Sequence, residues 1–270
     1  MILINGQAFP DAEAYIAVTS PGFQHGFGAF ETIKVRRGRP VFLADHQKRL
    51  QEALDTLQLA PAADLAALAD QCALLLQMNG LSDGLIKLIC CRNRQGETDM
   101  ILLTGRKVYA SEYERGLRVC LASGRRNEFS RLSRIKSLNY AENILEKEAA
   151  VRQGFAEAIF LNTRGFLCEG CTSNLFWIRD GHVLSPDLTC GLLPGIARRK
   201  VIDLCHRLGR PVTLGEFPLI DLQQADEIFL TNALMDIMPV SALAGRNFAP
   251  AEQPITRSLM AAFAEYYQSR

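Results

Sequence analysis

No stretch of the 270 residues approaches the roughly 20 consecutive apolar positions that a membrane-spanning helix needs. The formal net charge is +1, so the strong basic excess expected of a nucleic-acid-binding chain is missing. The opening M-I-L-I-N-G-Q lacks both a basic leader and a long apolar core, and no secretory signal is expected from it. There is no internal repeat and no low-complexity tract. Cysteines number eight, yet no second C-x-x-C and no nearby His joins Cys168 and Cys171 to make a zinc site. Cys90, Cys91 and Cys120 lie inside apolar runs, where a free thiol behaves as a small hydrophobe. A reducing, cytoplasmic setting without a metal is the expectation. The composition, 48% hydrophobic and 22% charged, is that of a globular protein with a substantial core. Its length allows one large domain or two modest ones.

The first half alternates strands and helices. Residues 2–4 form a strand closed by an Asn5-Gly6 turn. Gly22, Gly26 and Gly28 mark backbone that bends or approaches something closely, and they lead into a strand over 29–35. In that strand Phe30, Thr32 and Lys34 share one face, and Glu31, Ile33 and Val35 the other. Thr32 lines a pocket or is simply a β-branched strand former. A strand at 40–43 is followed by a helix with a Leu50, Leu54, Leu57 stripe and by a second helix over 63–78. Arg49, at the edge of that stripe, reads either as a solvated charge or as an anion ligand. Strands at 85–91 and 100–104 flank a loop holding Arg92 and Arg94, which suit a carboxylate or open solvent equally. The polar stretch from Val108 to Arg115 reads as a connection, giving a small α/β domain over 1–114 and a larger one over 115–270.

The second half opens with a strand at 117–121 and a basic loop containing Arg125, Arg126, Arg131 and Arg134. Asn139 is a good N-cap for a helix over 140–153. Strands follow at 157–161, 166–168, 174–179, 211–214 and 227–231, with helices at 196–208 and 252–267. Asn232 to Met235 reads as a turn.

Two residues here are expensive to bury without a chemical reason: Lys136 and Glu169. A desolvated lysine amine is the group that attacks a carbonyl to form a Schiff base. A carboxylate that keeps a pyridine ring protonated makes that ring an electron sink. The amides starting the helix at Gly195-Ile196, those of the Asn232-Ala233 turn, and Arg49 are candidate anion ligands.

Six ordered motifs then carry a resemblance: G-x-G-x-F-E-T-I at 26–33, H-x-x-R-L at 46–50, I-K-S-L-N at 135–139, E-G-C-T-S-N-L-F at 169–176, L-P-G-I-A-R at 193–198 and N-A-L-M-x-I-M-P-V at 232–240. Together they resemble the fold-type IV pyridoxal phosphate (PLP) enzymes, the class-IV aminotransferase superfamily. The resemblance implies a two-domain α/β (α+β) fold, with a small N-terminal domain and a larger C-terminal pseudo-barrel, and the cofactor between the domains. It implies that Lys136 carries PLP and that Glu169 bonds the pyridine nitrogen. It gives the phosphate to Arg49, Ile196, Ala197, Asn232 and Ala233, largely through backbone N–H groups. Relatives commonly have Thr where this chain has Ala197, so only the amide serves there. It also implies a homodimer in which a loop from the partner subunit closes the pocket.

Within the superfamily the chain looks most like a 4-amino-4-deoxychorismate lyase. The N-A-L-M-x-I-M-P-V text is close to the lyase version. Thr32 stands where D-amino-acid aminotransferases carry an aliphatic residue and branched-chain aminotransferases a Gly. Phe30 stands where the D-amino-acid enzymes use Tyr. The expectation is a small-molecule lyase that eliminates pyruvate and yields 4-aminobenzoate for folate synthesis. Lys136 acts as base, Thr32 assists, and Phe30, Arg92 and Arg94 are candidates for substrate contact. The alternatives are a D-amino-acid or branched-chain aminotransferase, and a non-enzymatic PLP-binding protein.

Overall fold

The computed structural model describes residues 1–60, 67–107, 109, 112–243 and 245–266. The chain forms two compact units. The first is Met1–Val108 with Ile135–Tyr140, and the second is Tyr109–Arg134 with Ala141–Arg270.

The first unit contains β1 (Ile2–Ile4), β2 (Gln7–Phe9), α1 (Pro21–His25), β3 (Gly28–Arg36), β4 (Arg39–Pro40), α2 (Leu43–Leu57), α3 (Leu68–Met78), β5 (Gly84–Arg92) and β6 (Thr98–Gly105). Its strands make one antiparallel sheet in the order β2-β1-β6-β5-β3-β4. Ile33 and Val35 of β3, Ile86 and Leu88 of β5, and Met100 and Leu102 of β6 pack against Leu50 and Leu54 of α2 and Leu68 and Leu75 of α3. The alternation along β3 therefore turns Ile33 and Val35 to the core, with Thr32 and Lys34 half-buried on the opposite face.

Two local expectations change, and part of a third lies outside the described residues. The strand proposed for 40–43 stops at Pro40, because Phe42 takes a left-handed conformation (φ 54°) and Leu43 opens α2. The glycine-rich stretch contains a helical turn, α1, capped by Ser20 Oγ accepting from Phe23 N at 3.3 Å and ended by Gly26 at φ 60°. The second helix is described from Leu68; the expected part at 63–66 lies outside the described residues.

The segment carrying Lys136 groups with the first unit instead of the second, and the first unit's long stretch ends at Val108 rather than residue 114. Hydrogen bonding to β3 accounts for this. Phe30 N donates to Lys136 O at 2.8 Å and Leu138 N donates to Gly28 O at 2.9 Å. Ala29 and Ser137 form an antiparallel bridge between those two bonds. Asn139 does not open a helix. Its Nδ2 donates to Gly26 O at 3.0 Å, and the helix that follows begins at Ala141.

The second unit runs α4 (Glu112–Arg115), β7 (Leu117–Arg126), α5 (Ala141–Arg152), β8 (Glu157–Asn162), β9 (Leu167–Gly170), β10 (Asn174–Arg179), β11 (His182–Pro186), α6 (Ile196–Arg207), β12 (Val212–Gly215), α7 (Leu219–Gln223), β13 (Glu227–Asn232), β14 (Asp236–Leu243), β15 (Arg246–Asn247) and α8 (Pro254–Glu265). Pairing closes a ring in the order β7-β8-β9-β10-β13-β14 and back to β7. Closure removes the free sheet edges of those six strands. Val119, Ile159, Leu167, Leu175, Trp177, Ile228, Leu230, Met238 and Val240 fill one apolar core drawn from all six. This is the expected pseudo-barrel.

Strand β14 was not among the strands expected from the sequence. Pro239 stands opposite Phe229, one residue before the β7 pairing begins at Val240. Outside the barrel core, Cys168, Cys171 and Cys190 pack with Ala150, Phe160 and Leu192. Burial pushes the Cys171 thiol up to about 12, which suits packing rather than nucleophilic use.

Candidate active site

In the first unit, the short ladder to β3 holds the backbone on both sides of Ser137 and so directs the Lys136 side chain. Its Nζ lies 4.3 Å from the centre of the Phe30 ring and 4.9 Å from that of Tyr140. The two rings meet edge to face, 5.3 Å apart. Lys87, which pairs in register with Thr32, places a second ammonium 5.0 Å from the same Phe30 ring. Two lysine amines thus lie close to the Phe30 ring, with Thr32 on its own face of β3. An aromatic face attracts an ammonium through its ring quadrupole.

Arg49 is buried in α2, and neither of its two sequence readings anticipated its partner. Glu31 of β3 receives Arg49 Nε at 2.8 Å and Nη2 at 2.6 Å. His46 Nδ1 lies 2.7 Å from the same carboxylate. Burial pushes the Glu31 carboxyl up, but the Arg49 guanidinium and the His46 ring outweigh it and hold the group at about 2. Burial also lowers the His46 pKa, against the pull of Glu31. A neutral ring beside an ionised carboxylate must carry its proton on Nδ1.

Arg92 and Arg94 lie elsewhere. The Arg92 guanidinium stacks on Phe27 at 5.2 Å, and Arg94 is solvent-exposed on the turn between β5 and β6. Lys87, rather than either arginine, is the cation beside Phe30. It is the one lysine in the apolar run L-I-K-L-I, a signal of the same kind as that of Lys136.

In the second unit, Glu169 is buried near the end of β9. Its Oε2 accepts from Leu193 N at 3.0 Å, and Arg126 Nε lies 3.3 Å from Oε1. Arg126 is held in turn by Glu142 at 3.0 Å and by stacking over Phe160 at 4.2 Å. Arg126 looked like part of a basic loop. A register shift between Leu121 and Arg125 instead carries β7 on to residue 126 and delivers this side chain to Glu169. Arg131 and Arg134, the other arginines of that supposed loop, are exposed on a helical turn.

The turn after Glu169 is fastened from three sides. Asn143 Nδ2 donates to Cys171 O at 2.6 Å, Thr172 Oγ1 to the buried Glu157 at 2.6 Å, and Asn232 Nδ2 to Thr172 O at 3.1 Å. Asn232 Oδ1 also accepts from Leu234 N and Met235 N, at 2.9 Å each. The Asn232 side chain thus braces two turns.

Helix α6 starts after Gly195 with no side-chain cap. Its first intrahelical bond is Arg199 N to Gly195 O at 3.0 Å. The N–H groups of Ile196 and Ala197 precede that bond and have no acceptor within the helix. Both residues are buried, and amides at a helix start are candidate anion ligands. A Cβ at residue 195 would stand 1.8 Å from Asn174 Oδ1, which leaves glycine as the residue that fits. The first unit holds a lysine amine and a buried guanidinium, and the second holds a buried carboxylate with an arginine beside it and a helix N-terminus. Among the described residues no group of His, Cys, Asp and Glu is arranged to hold a metal ion. No helix among them is long and apolar enough to cross a membrane.

The family model for amino-transferase class IV matches residues 28–243. The aminodeoxychorismate lyase of Bacillus subtilis (strain 168) is 27% identical over 276 residues, covering 96% of this chain and 92% of that protein. The solved 4-amino-4-deoxychorismate lyase of Pseudomonas aeruginosa superposes with a TM-score of 0.86 at 27% identity, over 98% of both chains. The solved branched-chain amino acid aminotransferase of Escherichia coli superposes with a TM-score of 0.91 at 25% identity, over 97% of this chain and 93% of the other. Similarity therefore reaches lyases and transaminases alike. The chain belongs to the amino-transferase class IV family and is, with that family, a pyridoxal phosphate enzyme.

Proposed function

We propose that this enzyme is a 4-amino-4-deoxychorismate lyase that releases pyruvate and 4-aminobenzoate, a folate precursor. The observation that carries the reading is the pair of ammonium groups, Lys87 and Lys136, on the single Phe30 ring. A lyase substrate of this kind brings two carboxylates and an amine. Lys87 suits one carboxylate while Lys136 serves the amine-bearing carbon. A branched aliphatic side chain, the cargo of the transaminase relatives, gains nothing from a cation at that place.

The reading assigns Lys136 and Arg49 of the first unit to the cofactor, with Glu169, Ile196, Ala197, Asn232 and Ala233 of the second. Bound PLP supplies a carbonyl that captures the amine and a ring that accepts electrons. Arg49 and the backbone amides of Ile196, Ala197, Asn232 and Ala233 grip the phosphate. Glu169, backed by Arg126, keeps a proton on the ring nitrogen. Lys136 Nζ, as a neutral amine, removes the proton from C4 of the substrate. The bond from the ring to the enolpyruvyl oxygen then breaks, and that group leaves as pyruvate once its methylene has taken a proton. Thr32 Oγ1 bonds the substrate or relays that proton. Forming an aromatic ring drives the step, and no acceptor is consumed.

Supplied with PLP and aminodeoxychorismate alone, the purified protein should make 4-aminobenzoate and pyruvate in equal amounts. Lys87→Met should raise KM more than it lowers kcat. A requirement for 2-oxoglutarate and an amino acid would instead establish a transaminase, and a protein that does not take up PLP would be a non-enzymatic member of the fold.

The reading includes a homodimer in a reducing cytoplasm. None of the eight cysteines is in a disulfide. The second unit presents Phe129 (80% exposed), Ile144 (51%), Leu145 (63%) and Val151 (57%) to solvent, more large apolar side chains than a monomer's surface needs. Sedimentation should show twice the 29.9 kDa chain mass; a monomer at micromolar concentration would contradict the assignment.

A further inference from the structure

In the second unit, Leu193 is gripped by both of its backbone polar groups. Glu169 and Asn174 stand opposite each other at the base of the β9–β10 hairpin, and both are buried. Residues directly opposite in an antiparallel pair turn their side chains to the same face. From there Glu169 Oε2 accepts from Leu193 N at 3.0 Å, and Asn174 Nδ2 donates to Leu193 O at 3.0 Å. The next residue is Pro194, so the Leu193–Pro194 peptide has no N–H, and its carbonyl is the polar group by which it can be held.

The same Asn174 amide also meets Gly195. Its Oδ1 lies so close that a Cβ at residue 195 would stand 1.8 Å away. Gly195 is the N-cap of α6, and its extended backbone (φ −66°, ψ 136°) is one that any residue adopts. The contact with Asn174, and not the backbone conformation, therefore requires glycine here. One planar amide thus touches both ends of the tripeptide Leu193-Pro194-Gly195. That tripeptide joins the N–H bonded to Glu169 to the first amides of α6. Fully extended it would reach about 10 Å, and it can fold up much shorter. Neither Pro194 nor Gly195 has a side chain that can hydrogen-bond. Strand β10 is paired on both sides of Asn174, with Glu169 and with Thr231 of β13, so the amide projects from a fixed backbone.

We propose that Asn174 is a positioning residue that fixes the span between the Glu169 carboxylate and the Ile196 and Ala197 amides, so that both engage one PLP molecule at once. The inference rests on the reading that Glu169 bonds the ring nitrogen and that those amides hold the phosphate. It adds the part that keeps the two in register. Ring nitrogen and phosphate arm occupy different edges of one rigid pyridine. A molecule held at two points binds more tightly than either half only while the span matches. Without Asn174 each half-site persists, and the distance between them drifts.

The test divides PLP into its halves: pyridoxal carries the ring and aldehyde, and inorganic phosphate carries the anion. Apoprotein of wild type, Asn174→Ala and Ile196→Pro is titrated with PLP and pyridoxal, followed by visible absorbance, and with phosphate, followed by calorimetry. Asn174→Ala should weaken PLP binding by about 10-fold, the scale of one lost hydrogen bond, while pyridoxal and phosphate bind as in wild type. Ile196→Pro checks the underlying reading. Proline suits the first position of a helix after an extended residue, and it deletes one of the two amides. It should weaken phosphate and lower the preference for PLP over pyridoxal. If Asn174→Ala does not fold, Asn174→Ser decides: its hydroxyl is too short to reach both Leu193 and Gly195, and it should give the same pattern. A wild-type preference for PLP in Ile196→Pro would overturn the phosphate reading itself. With that preference lowered as expected, unchanged PLP affinity in the Asn174 variant would overturn this inference alone. So would weaker binding of either half, because Asn174 would then serve that half-site, or general packing, by itself.

Discussion

Lys136→Ala should abolish turnover and the visible absorbance of the bound cofactor together. In the proposed mechanism, removing the amine deletes the covalent anchor and the base that takes the substrate proton. General-base catalysis alone contributes about 10²–10⁴-fold, and loss of the covalent attachment adds to it. The fold should survive. Lys136 is half-buried, and the ladder that holds its segment to β3 uses backbone atoms of Lys136 and Leu138 that Ala retains. Circular dichroism should therefore match wild type while activity falls to background. A variant that kept the visible band would show that a different lysine carries the cofactor. Lys87 would be the first to test, because it lies on the same Phe30 ring.

Glu169→Gln should reduce the rate by about 100-fold or more without releasing the cofactor. The substitution preserves shape and removes the negative charge. A neutral amide cannot keep a proton on a pyridine nitrogen, so the ring becomes a poorer electron sink. The change also leaves Arg126 beside an uncharged group. Arg126 retains Glu142 and the Phe160 ring, which limits the damage. Stripping a fully buried pair of one partner costs about 3–5 kcal/mol, and the remaining partners of Arg126 should bring the cost below that range. Thermal unfolding would measure it, and rapid-mixing absorbance would show whether the slow step has moved to removal of the C4 proton. A variant with wild-type kcat would mean that ring protonation does not limit this reaction.

What the sequence revealed about this site depended on contrast. Lys136 and Glu169 stood out because each is a lone charge in apolar company. The shared face of Phe30 and Thr32 followed from strand alternation, and the α6 amides followed from a Pro-Gly helix start. Other features depend on register and pairing, which the sequence does not display. Lys87 becomes a neighbour of Phe30 only once β5 pairs with β3 so that Thr32 faces Lys87. Glu31 and Arg49 are 18 positions apart and meet across a strand–helix contact. Arg126 reaches Glu169 through a bulge inside β7. The division into units followed the same pattern. The basic stretch and Lys136 looked continuous with the second unit, yet two backbone bonds return residues 136–138 to the first.

The proposed chemistry differs from transamination in one measurable respect: it consumes no second substrate. The most direct test gives the purified, PLP-loaded enzyme aminodeoxychorismate in buffer free of keto acids and amino acids, and follows 4-aminobenzoate and pyruvate over many turnovers. A lyase yields both in a constant one-to-one ratio until substrate is exhausted. Product formation that stops after a single equivalent per subunit and resumes only on addition of 2-oxoglutarate would contradict the account.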